Sequence, residues 1–148
     1  MIIRTIRPLV GVAFLCLLIS CKIEPQPIAY GSDQCDFCLM NIVDKTHSAQ
    51  LVTSKGKQFK FDAIECLVNH LQTVNEEDMA FVLIADFNRP GVMINAESST
   101  FLISEQIKSP MGANLSGLSS IKEAKSLQNE HTGEIFSWSE LKEQLKDK

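Results

Sequence analysis

Residues 49–71, AQLVTSKGKQFKFDAIECLVNHL, contain the pattern that decides the fold. Apolar side chains first alternate with their neighbours, which predicts a half-buried strand over 49–53 and a return strand over 59–61. Residues 54–57, SKGK, supply the hairpin turn between the two strands. Apolar residues then recur at helical spacing from Ile64 to Leu71, so an amphipathic helix follows the hairpin.

Two further signals complete this first unit. Asp62 stands where a helix N-cap is expected, and Glu65 follows three residues later, as in a capping box. Residues 79–87 form a nearly continuous apolar run, which is typical of a buried central strand. Residues 88–91, NRPG, end that strand. The predicted order is therefore strand, strand, helix, strand.

The second half of the chain repeats this order more weakly. Strands are predicted over 100–103, 115–118 and 134–138. A helix capped by Ser119 or Ser120 precedes the last of these strands. The same four elements thus occur twice along the chain.

Aligning residues 61–64, FDAI, with residues 118–121, LSSI, gives an offset of 57 residues between the two halves. The pattern favours an internal duplication, although any two α+β units are similar at this level. Each unit alone has few core residues, so the two are expected to pack together. We therefore predict an α+β fold of two small ββαβ units, over 35–92 and 93–148.

The N-terminal residues have the features of a bacterial lipoprotein signal. A positively charged start precedes a short apolar run over 9–19, and the run ends in Ser20 and Cys21. We predict that residues 1–20 are a signal peptide and that Cys21 is lipidated; an uncleaved anchor helix is the alternative. Residues 21–34 then form a Pro-punctuated, lipid-anchored tether.

The composition is typical of a globular protein. Of 148 residues, 45% are hydrophobic and 22% are charged, which excludes a disordered tail, a collagen-like repeat and a polytopic membrane protein. The net charge of -4 leaves no basic patch, so binding to a nucleic-acid backbone is not expected.

Residues 35–40, CDFCLM, are the strongest chemical signal in the sequence. The thiols of Cys35 and Cys38 and the thioether of Met40 can converge on one point from a loop. Thiolate and thioether ligands select Cu(I) over hard cations, so the motif favours a copper site. Two alternatives stay open. One is a Cys35–Cys38 disulfide with Met40 as core filler. The other is thiol redox catalysis, which the lack of a preceding strand disfavours.

Met111 is a second candidate ligand. Pro110 fixes the backbone before it and Gly112 permits a close approach, so the turn presents a thioether instead of burying it. The alternative is a Met side chain that fills a gap beside the turn.

The remaining thiol and the imidazoles are weaker candidates. Cys66 and His70 lie four residues apart on one helix face and could bind a metal. A half-buried structural Cys66 and a solvated His70 are the preferred interpretation. His47, which precedes a strand, and His131, at a helix C-terminus, are also interpreted as structural.

Together these motifs resemble those of the NosL family, the lipoprotein accessory factors of nitrous oxide reductase. Four stretches carry the resemblance: CDFCLM at 35–40, FDAIEC at 61–66, SPMG at 109–112 and GEI at 133–135. Leu39 departs from the family pattern, because many relatives have Gly at that position.

The resemblance implies a Cu(I)-binding metallochaperone that faces the periplasm and helps to build the copper–sulfide centre of nitrous oxide reductase. The implied copper ligands are Cys38, Met40 and Met111, with Cys35 as an auxiliary thiol. The implied partners are the reductase and its membrane transporter maturation complex. The implied fold resembles part of organomercurial lyase.

Two other functions stay open. Asp62 and Cys66 are interpreted as structural residues, but together with Cys38 they could serve an enzyme of carbon–mercury or thiol chemistry. A structural lipoprotein that binds no metal is the other alternative. Fold alone does not confer function, and Met ligands have no role in the enzyme mechanism, so the copper carrier is the preferred hypothesis.

Overall fold

A computed structural model describes residues 22–146 of the protein. The predicted signal peptide and the predicted lipid site at Cys21 lie outside the described residues. Between residues 22 and 146, no helix is both long enough and apolar enough to cross a membrane.

The first sheet is formed by four strands, β1 Ala49–Thr53, β2 Gln58–Phe61, β3 Met79–Asp86 and β4 Arg89–Asn95. It is antiparallel and has the strand order β2-β1-β3-β4. Helix α1, Ile64–Leu71, follows β2, and a short 3-10 turn at Glu76–Asp78 leads into β3.

The second sheet is formed by three strands, β5 Thr100–Ile103, β6 Leu115–Leu118 and β7 Glu134–Ser137. It is also antiparallel and has the strand order β6-β5-β7. Helix α2, Ile121–His131, connects β6 to β7, and helix α3, Trp138–Leu145, follows β7.

The two units have the same connectivity, which confirms the predicted α+β fold. In each unit a hairpin is followed by a helix, and the next strand pairs with the first strand of the hairpin. The hairpins end at Phe61 and Leu118, and the helices begin at Ile64 and Ile121. Both the ends of the two hairpins and the starts of the two helices are therefore 57 residues apart, as predicted.

The first unit is longer than predicted. The sequence NRPG was expected to end β3, but Arg89–Asn95 returns as β4 and pairs with β3. Pro90 has no N–H to donate, which is why the sequence did not indicate a strand; a Pro is tolerated here because β4 is an edge strand. The predicted boundary between residues 92 and 93 therefore falls inside β4.

The predicted helix cap at Asp62 is wrong. The N-cap residue of α1 is Ala63, and no side chain caps that end. Asp62 instead hydrogen-bonds to two thiols, described below. The other two helices have conventional caps: Ser120 caps α2 as predicted, and Ser137 forms a capping box with Glu140 at α3.

Helix α1 lies at the centre of the main core, where it packs against strands of both sheets and against α3. A smaller apolar cluster fills the space between the second sheet and α2. The main core includes Ile42, Leu51, Phe61, Ile64, Leu67, Ile84, Phe101, Leu115, Trp138 and Leu141.

The predicted tether is held against the first sheet along part of its length. The backbone carbonyls of Glu24 and Gln26 accept hydrogen bonds from the side chains of Gln58 and Gln50, at 3.1 Å and 2.8 Å. The carbonyl of Pro27 accepts from Lys60 Nζ at 2.8 Å. The chain has no helix or strand here, but it does not act as a free spacer beyond Glu24.

The two units meet where β6 passes close to β3. The amide of Phe87 donates to the carbonyl of Gly117 at 2.9 Å. A Cβ atom at position 117 would lie 2.2 Å from Ile84 Cδ1 and 3.3 Å from the carbonyl oxygen of Ala85. Glycine is therefore the residue that lets the two sheets approach each other.

Gly117→Ala should lower the free energy of unfolding by about 1–3 kcal/mol, because the added methyl group overpacks this contact. Urea denaturation would measure the loss. Ile84→Val removes the Cδ1 atom that the new methyl group meets, so Gly117→Ala should cost less in an Ile84→Val background. Equal costs in both backgrounds would contradict this account of the contact.

Candidate metal centre

Residues 35–40 fold into a tight loop that we call the Cys loop. The amide of Cys35 donates to the carbonyl of Met40 at 2.8 Å, and the amide of Leu39 donates to the carbonyl of Cys35 at 3.0 Å. Leu39 has a φ of 65°, in the left-handed region that glycine adopts most easily. A Leu at this position, where many relatives have Gly, therefore adopts a backbone conformation that is less favourable for Leu than for Gly. Its side chain is exposed.

Three thiols and one carboxylate meet behind this loop. One ligand atom from each of Cys35, Cys38, Asp62 and Cys66 lies within 4.8 Å of the others, and we call this group the thiol cluster. The three cysteines are free thiols, so the Cys35–Cys38 disulfide considered above is not formed. Cys35 and Cys66 are buried, and Cys38 is half-buried.

Asp62 holds the Cys loop against α1. Its Oδ1 atom accepts hydrogen bonds from the thiols of Cys38 and Cys66, each at 3.3 Å. Its Oδ2 atom is buried and has no hydrogen-bond partner within the described residues. A buried, half-satisfied carboxylate is costly, so its position beside three thiols suits a bound cation.

The Cys35 sulfur is stabilised as a thiolate. The Cys66 thiol, whose one proton is shared between Cys35 and Asp62 Oδ1, is the main reason that the pKa of Cys35 falls to about 6, although burial opposes the change. The backbone amides of Phe37, Cys38 and Asp62 lower this pKa further. Cys35 is therefore ionised at neutral pH even though it is buried.

The other two thiols are protonated at neutral pH. Burial raises the pKa of Cys38 to about 11. Hydrogen bonding to Cys35 is the first cause, and burial the second, of a raised pKa at Cys66. At neutral pH the cluster therefore combines one thiolate with two thiols whose protons a bound cation would displace.

The two predicted thioether ligands lie at the surface. The Met40 side chain, on the Cys loop, is 46% exposed, and that of Met111 is 42% exposed. Phe37 and Leu39 on the Cys loop, and Val43 just after it, are also large apolar side chains that are exposed. The loop that carries the half-buried thiol of Cys38 therefore exposes apolar side chains.

Glu65 has a role that the sequence did not reveal. It was predicted to complete a helix cap, but its buried carboxylate accepts hydrogen bonds from Ser109 and Ala113 in the second unit. These residues flank the turn that carries Met111. In the sequence, only its position next to Cys66 could have indicated that Glu65 lies near the candidate metal centre.

The histidines make other contacts. The ring of His70 packs against Phe59 and Phe61, and burial lowers its pKa. His47 is buried, and its Nδ1 lies 2.8 Å from an oxygen of Asp44. His131 ends α2, where its carbonyl accepts from a serine hydroxyl. Within the described residues, none of them belongs to the thiol cluster.

The fold and the site together define a class: small α+β proteins with a thiol-rich site that suits a soft metal ion. A family model of NosL matches residues 27–146. The chain therefore belongs to the NosL family, which confirms the resemblance drawn from its motifs.

One relative is the copper-binding lipoprotein NosL of Stutzerimonas stutzeri. It is 28% identical over 129 residues, a region that spans 81% of this chain and 68% of the relative. The crystal structure of the copper chaperone NosL from Shewanella denitrificans has the same fold, with a TM-score of 0.67 and 21% identity. That match covers 80% of this chain and 96% of the solved one.

A pH titration of the reduced, metal-free protein should reveal one early thiolate. Because the pKa of Cys35 is about 6, absorbance near 240 nm should rise by one thiolate as the pH passes through 6. It should then stay level to about pH 9, since the pKa of Cys38 is about 11. Cys35→Ser should remove the early step, and Cys38→Ser should leave it. A single step for all thiols near pH 9 would contradict this assignment.

Proposed function

We propose that this protein is an exported, lipid-anchored Cu(I) carrier that delivers copper for the copper–sulfide centre of nitrous oxide reductase. The observation that carries the proposal is the thiol cluster of a NosL-family protein, built from Cys35, Cys38, Cys66 and Asp62. Soft sulfur donors favour Cu(I) over Mg²⁺ or Ca²⁺, so the donor set fits this cargo.

The proposed ligands are Cys38, Met40 and Met111, with Cys35 as an auxiliary thiol. Cys38 is half-buried and shares the Cys loop with Met40, whose side chain is exposed. Cys35 is completely buried and already ionised, which suits it to stabilise a nearby cation.

Delivery requires that copper can leave as well as bind. The thioethers of Met40 and Met111 are exposed, and a thioether is a neutral ligand that holds Cu(I) less strongly than a thiolate. A recipient can therefore displace these ligands first and take the ion from Cys38 last. We infer that the protein is a carrier and not an enzyme.

The proposed partners are nitrous oxide reductase and its membrane transporter maturation complex, both approached from the periplasmic side of a membrane. The relative from Stutzerimonas stutzeri is named as a lipoprotein, which supports an anchor at Cys21. Because the chain is held to the first sheet from Glu24 onward, an anchor at Cys21 would keep the domain close to the membrane.

Thiol chemistry on an organomercurial is the second candidate function. It is favoured by one observation: the thiols of Cys38 and Cys66 both donate to Asp62. When the carbon–mercury bond breaks, a thiol proton passed through the carboxylate could go to the carbon, and the two sulfurs could bind the released Hg(II). Incubation with methylmercury and measurement of methane in the headspace would test it. The carrier proposal expects no methane above the level in buffer.

The carrier proposal predicts unequal roles for the two thiols of the Cys loop. In competition with a chromogenic Cu(I) chelator, the parent should bind one Cu(I). Cys38→Ser should weaken binding more than tenfold, about 1.4 kcal/mol, because it removes the accessible thiol, which binds Cu(I) with loss of its proton. Cys35→Ser should weaken binding less. Equal losses would show that the ligand assignment is wrong, and no binding by the parent would refute the carrier.

The proposed site also predicts that the second unit contributes to copper binding through Met111. Met111→Leu keeps the volume and removes the sulfur, so the stability of the metal-free protein should change by less than about 1.5 kcal/mol. A hundredfold excess of Cu(I) over Kd should stabilise the parent by about 2.7 kcal/mol, and the variant by clearly less. Thermal unfolding with and without Cu(I) would measure both effects. Equal copper-induced shifts in Tm would exclude Met111 from the site.

A further inference from the structure

Glu65 links the second unit to the helix that carries Cys66. Its Oε1 atom accepts a hydrogen bond from the Ser109 hydroxyl at 2.8 Å and from the Ala113 amide at 3.1 Å. The Ser109 oxygen in turn accepts from the Asn114 amide at 2.9 Å. One carboxylate oxygen therefore holds both sides of the turn that contains Met111.

The turn has few means of fixing its own position. Met111 is 42% exposed, and Gly112 has a φ of 82° with nothing within 4 Å of the place where its Cβ would be. One backbone hydrogen bond, from the Gly112 amide to the Ser109 carbonyl at 3.1 Å, closes the turn on itself. Two hydrogen bonds to the buried carboxylate of Glu65 attach it to α1, and Ala113 packs against the main core.

The position of Glu65 relates the turn to the thiol cluster. Glu65 and Cys66 are successive residues in the first turn of α1, and both are buried. If the Ser109–Ala113 segment moves relative to Glu65, the distance between the Met111 thioether and the thiols therefore changes.

We propose that Glu65 is a positioning residue that fixes the Met111 turn, so that its thioether completes the soft-metal site formed by the thiol cluster. The proposal rests on the proposed Cu(I)-binding function and assigns a role to a residue outside its ligand set. Glu65 itself is not a ligand in this proposal, in which its Oε1 atom serves two donors of the second unit. Its Oε2 atom is buried and has no hydrogen-bond partner within the described residues.

Two substitutions separate positioning from charge. Glu65→Ala removes the acceptor, and Cu(I) affinity should fall about tenfold, the lower end of the range for partners that orient metal ligands. Glu65→Gln keeps an oxygen of the same shape that can accept both hydrogen bonds, so affinity should stay within about threefold of the parent. Met111→Leu should cost little further affinity in the Glu65→Ala background, since its contribution is already lost.

A matched control tests whether any lost carboxylate link has the same effect. Glu76 also joins distant segments, because it accepts from Trp138 Nε1 at 3.2 Å and from Lys142 Nζ at 2.7 Å. Glu76→Ala should lower stability and leave Cu(I) affinity unchanged. If Glu76→Ala weakens copper binding as much as Glu65→Ala does, the effect is general destabilisation and the proposal is wrong.

The decisive measurement follows the Met111 methyl group. The full-length chain, reduced in detergent micelles and labelled with methyl-13C methionine, would be titrated with Cu(I), with Met111→Leu identifying the signal. In the parent and in Glu65→Gln, the Met111 signal should shift on binding. In Glu65→Ala it should stay at its metal-free position, while the Met40 signal still shifts.

Each other outcome has a distinct meaning. A Met111 shift in Glu65→Ala as large as in the parent would overturn the positioning role. A parent that binds Cu(I) without moving the Met111 signal would also overturn it, since there would be no ligand to position. A parent that binds no Cu(I) would refute the proposed function itself.

Discussion

The structure depends above all on the burial of helix α1. Six of its eight residues are buried, and strands of both sheets and helix α3 pack against it. Two of the buried residues, Glu65 and Cys66, carry polar groups, which an interior tolerates only when they have partners. Asp62 provides one for Cys66, and the Ser109 turn provides two for the Oε1 atom of Glu65. The same helix therefore organises the core and the candidate metal centre.

Helix α1 and the Cys loop, which form the candidate metal centre, lack local interactions that would stabilise them. Asp62 would be a good N-cap for α1, and such a cap stabilises a helix by about 0.5–2 kcal/mol. The structure leaves that end uncapped and directs the carboxylate to two thiols. Leu39 adds a left-handed backbone conformation in the Cys loop. Helices α2 and α3, which carry no part of the site, both have serine caps.

The two units have unequal roles despite their common topology. The first unit and the loop before it provide all members of the thiol cluster, and the second provides the turn with Met111. The units are joined by the close approach at Gly117 and by the contacts of Glu65. In the proposed function, copper would bind across this junction, so loading the ion would also strengthen the contact between the units.

The sequence by itself determined the α+β class, the repeated order of elements and the presence of a thiol-rich motif in a NosL-family chain. These follow from side-chain periodicity, turn residues and short spacings, all of which are local properties. Only the tertiary structure decided that Cys66 joins Cys35 and Cys38, that Asp62 serves thiols instead of a helix end, and that β4 extends the first sheet. The physical reason is that a carboxylate near the start of a helix, such as Asp62, can accept hydrogen bonds from several kinds of donor. Packing of the core brings distant segments together and so decides which donors lie within reach.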